Sequence, residues 1–277
     1  MPKPLLLLLA TLAAVAVACD GSGAPDPTAR EISDAELAAM VLPLEELGSA
    51  YAGFELDVLQ SGVVSNEDVI GDAFDEEDEE GDIERYGRVT GHAESYSPIE
   101  ARLEVEGVLV IGTNVSLYED SDGASGDLND EAKDAKEGEG LTKDGVTAGG
   151  VEEFDPGDFG DESVGLVVTL SDEAVQTFTF YGTVVAFRRG RLSGSVFIVR
   201  FDDRDVREEV SGLARKLDER IQAVLRGEVE ARTALDVAAV SVHLRLSWRQ
   251  PSLYATMPGR RPGTGGSPLR RNAAATP

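Results

Sequence analysis

The run Asp203–Arg226 limits the possible folds more than any other stretch of this chain. Its apolar residues Val206, Val210, Leu213, Ala214, Leu217, Ile221, Val224 and Leu225 recur at spacings of three, four or one. A helix gathers them into a single stripe, and such a stripe needs a second layer to bury it. Asp202 or Asp203 is placed to cap the start of this helix, Arg226 suits its C-terminal end, and Gly227 stops it.

The second layer reads as strands. From Leu103 to Leu117 the odd positions are Leu, Val, Gly, Leu, Ile, Thr, Val and Leu, the period of a β-strand. Fifteen residues is long for one strand, so a bulge or bend is expected at Gly107 or Gly112. Val108–Ile111 is apolar on both faces, which suits a central strand. Tyr86–Tyr96, Val146–Phe154, Val164–Leu170, Thr177–Arg188 and Arg191–Phe201 supply further β segments. The last two flank Arg189-Gly190, where glycine permits a tight hairpin turn. A late alternation, Val240 to Trp248, suggests one more strand.

Short helices are expected nearer the N-terminus. Ser33 can cap a helix over Asp34–Met40, Leu44–Leu47 forms one further turn before Gly48, and Asn66–Phe74 is a third, capped by Ser65 or Asn66. Asp72–Asp82 holds eight acids and no base, so residues 72–82 read as a self-repelling, solvated loop. Residues 119–140, acidic and rich in glycine, read as a second acidic loop with a shorter helical pattern over Leu128–Lys136.

The first nineteen residues address the protein. Met1-Pro2-Lys3-Pro4 followed by LLLLLATLAAVAVA has the weak cationic start, short apolar core and small residues of an export signal. The apolar core is shorter than the roughly 20 residues that span a bilayer. Ala16-Val17-Ala18 fits the ordinary cleavage rule, and Ala16-Val17-Ala18-Cys19 is similar to a bacterial lipobox, whose cysteine becomes the lipidated first residue. Cys19 is the chain's only cysteine, so no disulfide forms within it and lipidation gives that residue a purpose. The expected organisation is a signal peptide at 1–18, a flexible Gly/Pro tether at 19–32, an α+β domain at 33–228 and a basic, disordered tail at 229–277. The product is extracytoplasmic, held on the outer face of a bacterial membrane, or secreted if Cys19 carries no lipid.

Charge and motif content exclude several functions. The chain carries −27 overall, while residues 232–277 hold seven Arg and one Asp. An acidic body repels phosphate backbones, so nucleic acid is not a partner. Asp120 to Glu131 places acids at positions 1, 3 and 12 of a calcium-loop spacing, but Ala124 replaces a ligand and Ser125 the required glycine. Two histidines, His92 and His243, and one engaged cysteine do not build a zinc site. No nucleophile elbow or phosphate-binding glycine loop is present. His92 reads as a sheet-surface side chain. No catalytic residue, metal ligand or cofactor is assigned, and the chain is not expected to be an enzyme.

One cationic cluster interrupts the acidic body: Arg188, Arg189 and Arg191 at the hairpin turn, with Arg200, Arg204 and Arg207 near the following helix. Arginine forks bind carboxylate or phosphate, which makes the three hairpin residues a candidate anion or partner site. The plainer alternative is a hairpin tip whose charges offset nearby acids.

Three stretches together carry a resemblance: the signal with its cysteine, GRVTGHAESY at Gly87–Tyr96, and GDESVGLVVTL, VVAFRRGRLSGSVFIV and LARKLDERI within Gly160–Ile221. The pattern resembles that of bacterial lipoproteins and exported sensor-like domains, several of which are similar to the PsbP-like α/β/α sandwich. The resemblance implies fold and location and brings no catalytic residue with it.

The expected fold is therefore α+β, a mainly antiparallel sheet with the 203–226 helix on one face and the N-terminal helices on the other. The expected function is a non-catalytic module binding a small ligand or an envelope protein, with the membrane as partner through Cys19. The alternative is an acidic surface lipoprotein with a cation-binding, structural or adhesive role.

Overall fold

A computed structural model describes residues 26–58, 60–72, 76–99, 107–143, 146–172 and 179–231. Cys19, the export signal, His243 and the late alternation at 240–248 lie outside the described residues.

The described strands form one nine-stranded antiparallel sheet. In chain order they are β1 (Phe54–Leu56), β2 (Gly62–Val64), β3 (Arg88–Pro98), β4 (Val108–Tyr118), β5 (Thr142–Lys143), β6 (Val146–Phe154), β7 (Glu162–Asp172), β8 (Thr179–Arg189) and β9 (Leu192–Arg200). They lie in the order β1-β3-β4-β9-β8-β7-β6-β5, with β2 also on β3. The expected central strand, β4, sits between β3 and β9. Gly107, at φ 75, turns the chain just before β4 begins.

Six α-helices and a 3-10 turn (Ser49–Tyr51) accompany the sheet among the described residues, the α-helices being α1 (Asp34–Met40), α2 (Leu44–Leu47), α3 (Asn66–Asp72), α4 (Glu76–Tyr86), α5 (Ser121–Glu137) and α6 (Arg207–Leu225). Ser33 and Glu36 close a reciprocal capping box on α1. Ser65 and Asp68 do the same at the start of α3.

The main core lies between α1, α6 and one face of the sheet. Val210, Leu213, Leu217, Ile221 and Val224 of α6 meet Ile111, Val115, Val185, Phe187, Val196 and Ile198, with Leu37, Met40, Val41 and Leu42 beside them. Burying each large apolar side chain contributes roughly 1.5–3 kcal/mol before ordering entropy is subtracted. The N-terminal helix thus shares its face with α6, against the expectation that it covers the opposite one. Leu37–Leu42 is apolar enough to extend the α6 core, and Thr113 on that face accepts from the Leu42 amide at 3.2 Å.

The opposite face belongs to the two acidic stretches, expected as loops but largely helical in their described residues. α5 crosses β4, β9, β8, β7 and β6, and α4 packs on α5. Glutamate is a good helix former, and Glu76, Glu77, Asp78 and Glu79 fall in the first turn of α4, where the helix dipole favours anions. The glycines of α5 are contact notches. A Cβ at Gly123 would stand 2.0 Å from the Tyr86 carbonyl oxygen, and one at Gly126 would stand 2.4 Å from the Tyr86 ring. Ala124, Tyr86 and Tyr118 make a second, smaller core there.

α6 starts four residues later than expected. Asp202 pairs with Arg200 (2.5 and 2.9 Å) and lies too far from the first turn to cap it; the N-cap is Val206, and Asp205 before it accepts from the Arg207 amide at 3.0 Å. The tether also differs from expectation at its end. Asp26–Ile32 is seated on the domain, with Thr28 fully buried and Ile32 in the core.

Candidate functional site at the arginine hairpin

The β8–β9 turn is built on Gly190, whose φ of 58 suits glycine and whose missing side chain admits Thr28. A Cβ there would lie 2.2 Å from Thr28 Oγ1. Arg188, Arg189 and Arg191 flank this glycine and point to three different parts of the domain.

Arg188 donates to Asp161 at 3.2 Å and to Glu162 at 2.9 Å. Glu162 in turn accepts from Ser125 of α5 at 2.7 Å, and that hydrogen bond, more than Arg188, holds its carboxyl below the usual range. Arg189 makes a two-pronged pair with Asp218 of α6, Nε to Oδ1 at 2.9 Å and Nη2 to Oδ2 at 2.8 Å. It also reaches Asp161 at 3.2 Å. The Asp218 hydrogen bonds push the Arg189 guanidinium further toward its charged form. Asp218 is 4% exposed and accepts as well from Gln222 at 3.0 Å and the Gly160 amide at 3.3 Å.

Among the described residues Arg191 binds no carboxylate. Its fork donates to three backbone carbonyls: Thr28 at 2.7 Å through Nε, Tyr118 at 3.0 Å through Nη1 and Arg30 at 2.7 Å through Nη2. Its own amide donates to Thr28 Oγ1 at 3.0 Å. The three arginines therefore join the hairpin to α5, α6, the 155–161 loop and the N-terminal segment. Their charges are met from within the chain, which leaves little of the forks for an outside anion.

The other expected members of the cluster lie elsewhere. Arg200 ends β9, nine residues from the turn, or about 30 Å along the strand. Arg207 pairs with Glu152 at 2.7 Å and sits over the Phe154 ring. His92 is 4% exposed, buried in the sheet where a surface position was expected. It shares a strand face with Glu94 and Tyr96, whose hydroxyl donates to Glu94 at 2.5 Å. The Asp120–Glu131 stretch has no loop to wrap a cation. Asp120 accepts from the Gly123 amide at 2.8 Å, and the chain is helical from Ser121. Among the described residues no group of three or more His, Cys, Asp or Glu is placed to hold a metal ion.

Pairing of α4 with α5 adds a second polar cluster that sequence reasoning missed. Tyr118 donates to Asp127 at 2.6 Å, and Tyr86 donates to Asp130. Burial raises the Asp127 carboxyl, whereas the Tyr86 hydrogen bond lowers that of Asp130. Arg88, 8% exposed, stands nearby on Asn66 (2.7 Å) and the Val64 carbonyl (3.2 Å).

Two open clefts adjoin these networks. One, about 450 Å³, lies at the hairpin between Asp26, Asp161, Arg188, Arg189, Gln222 and Arg226. The other, about 570 Å³, runs between α5 and β6–β7, with Leu128 and Val164 beside Lys133, Lys136, Glu153 and Glu162. No helix among the described residues is long and apolar enough to cross a membrane.

The chain is similar to the extracellular domain of PknH from Mycobacterium tuberculosis, known from a crystal structure. The TM-score is 0.46 and the identity 12%, over 70% of this chain and 98% of that one. No family model matches the chain, and no curated protein does.

Proposed function

We propose that this chain is an exported domain, anchored by a lipid on Cys19 to the outer face of a bacterial membrane, that binds a small ligand or an envelope protein without catalysing a reaction. The observation that carries this reading is Ala16-Val17-Ala18-Cys19 at the end of a short apolar run, with the chain's only cysteine at the cleavage point. Binding without catalysis is supported by the inward engagement of the hairpin arginines and the burial of His92. The cleft of about 570 Å³ beside α5 is the natural place for a ligand, with apolar Leu128 and Val164 among charges of both signs. The test is mass spectrometry of the mature N-terminus from the native host. A diacylglyceryl group on Cys19 supports the anchor; a mature chain beginning at an unmodified Cys19 removes it.

A further inference from the structure

Fixing residues 26–30 to the β8–β9 turn has a consequence for how the domain stands. Thr28 and Arg30 are sequence-distant from the turn, yet Arg191 holds both of their carbonyls at 2.7 Å, and Thr28 is fully buried against Gly190. The N-terminal segment is therefore rooted at one defined end of the sheet. That end also carries the start of β3, the end of β4, the start of β7 and the C-terminus of α6, since β4 pairs with β3 and β9 there and Asp218 meets Arg189. Between Cys19 and Asp26 there are seven residue steps, which span at most about 25 Å when fully extended. Were the segment free up to Ser33, the reach would double to about 50 Å.

We infer that Arg191 is a positioning clamp that turns the β8–β9 hairpin end of the domain toward the lipid bilayer and presents the opposite end, around Asp203, the start of β4 and the end of β9, to the surroundings. The membrane half of this inference rests on the lipid on Cys19 proposed above. Covalent geometry sets the orientation, because the charges at the hairpin end are mixed. Arg30, Arg188, Arg189, Arg191 and Arg226 stand among Asp26, Glu119, Asp120, Asp161, Glu162 and Glu228, and most are paired with one another. Such a surface has no strong preference for anionic headgroups, and the rest of the body is acidic. The orientation accordingly persists in neutral vesicles and at salt high enough to shorten the screening length to a few ångströms.

The experiment uses full-length chain processed in a bacterial host and reconstituted into phosphatidylcholine vesicles, with a donor dye on a non-natural side chain at position 122 or 203. Both positions are exposed, and they flank opposite ends of the sheet. Energy transfer to an acceptor on the headgroups should be strong from position 122 and several-fold weaker from position 203, at low and high salt alike. Equal or reversed transfer in material whose mass shows the lipid overturns the clamped orientation while leaving the anchor intact. A mass without lipid overturns the membrane-facing end together with the anchor. The clamp has its own readout in the unlabelled protein: trypsin cleavage after Arg30, whose carbonyl Arg191 holds. Arg191→Ala, and Arg191→Lys as the charge-keeping variant without a fork, should raise that rate about tenfold or more with the far-ultraviolet spectrum unchanged. A cleavage rate equal to the parent in Arg191→Lys refutes the clamp.

Discussion

Asp218 offers the sharpest quantitative test of what holds the hairpin to the core. Its side chain is 5% exposed, and it accepts four hydrogen bonds, two from Arg189 and one each from Gln222 and the Gly160 amide. Asp218→Ala removes all four acceptor contacts and leaves a partly buried guanidinium with Asp161 as its remaining carboxylate partner. Removing one partner of a buried pair costs about 3–5 kcal/mol. The lower end applies here, because Arg189 is 25% exposed and keeps Asp161 at 3.2 Å. About 3 kcal/mol is a large share of the 5–15 kcal/mol that holds a typical domain together, and it lowers Tm by roughly 6–12 °C at this size. Arg189→Ala alone should cost about 2–3 kcal/mol, since Asp218 retains Gln222 and Gly160. The double variant should cost clearly less than the sum, with a coupling energy of about 2 kcal/mol. Urea unfolding followed by far-ultraviolet circular dichroism gives each value, provided the m-value is unchanged. A coupling energy within the additivity scatter of about 0.5 kcal/mol would show that the pair contributes nothing beyond its parts, and the reasoning would fail.

Other perturbations test separate layers. Leu217→Asp places a carboxylate at a fully buried position of the α6 stripe and should abolish cooperative unfolding; a parent-like melt rules out this packing. Gly126→Val drives a side chain into the Tyr86 ring and should cost about 2 kcal/mol, with faster amide exchange in α4 and unchanged exchange in α6. Glu36→Gln weakens the α1 capping box. Its carboxyl is lowered from 4.5 to about 2, first by the Arg30 hydrogen bond, and a depressed acid stabilises the fold above its unfolded value and loses that contribution as pH falls toward 2. Allowing for its solvent exposure, the contribution is about 1 kcal/mol. Parent and Gln variant should therefore differ most at pH 7 and draw together as pH falls to about 2, as read by urea unfolding across that range.

Local chemistry made much of this fold legible from the chain alone. The strand Val146–Phe154 has the bounds expected of it, the hairpin turns at Arg189-Gly190-Arg191, Ser33 caps α1, and the α6 stripe is buried where its spacing put it. Each of these depends on neighbours within a few residues, which is the range over which periodicity, capping and turn chemistry act. Acid-rich and glycine-rich runs misled because the same residues serve a helix when a partner is present. Gly123 and Gly126 read as loop formers until Tyr86 fills their notches, and the charges of α4 are tolerated at a solvated surface where the dipole and helix propensity favour them. The export signal and Cys19, with the address they imply, remain the province of the sequence. Which face α1 covers, which acceptors each hairpin arginine meets, and that Thr28 is locked to Arg191 across 163 residues were decided only by tertiary structure. Those pairings join elements whose separation along the chain carries no periodic signal, and they exist only once the sheet has brought the elements together.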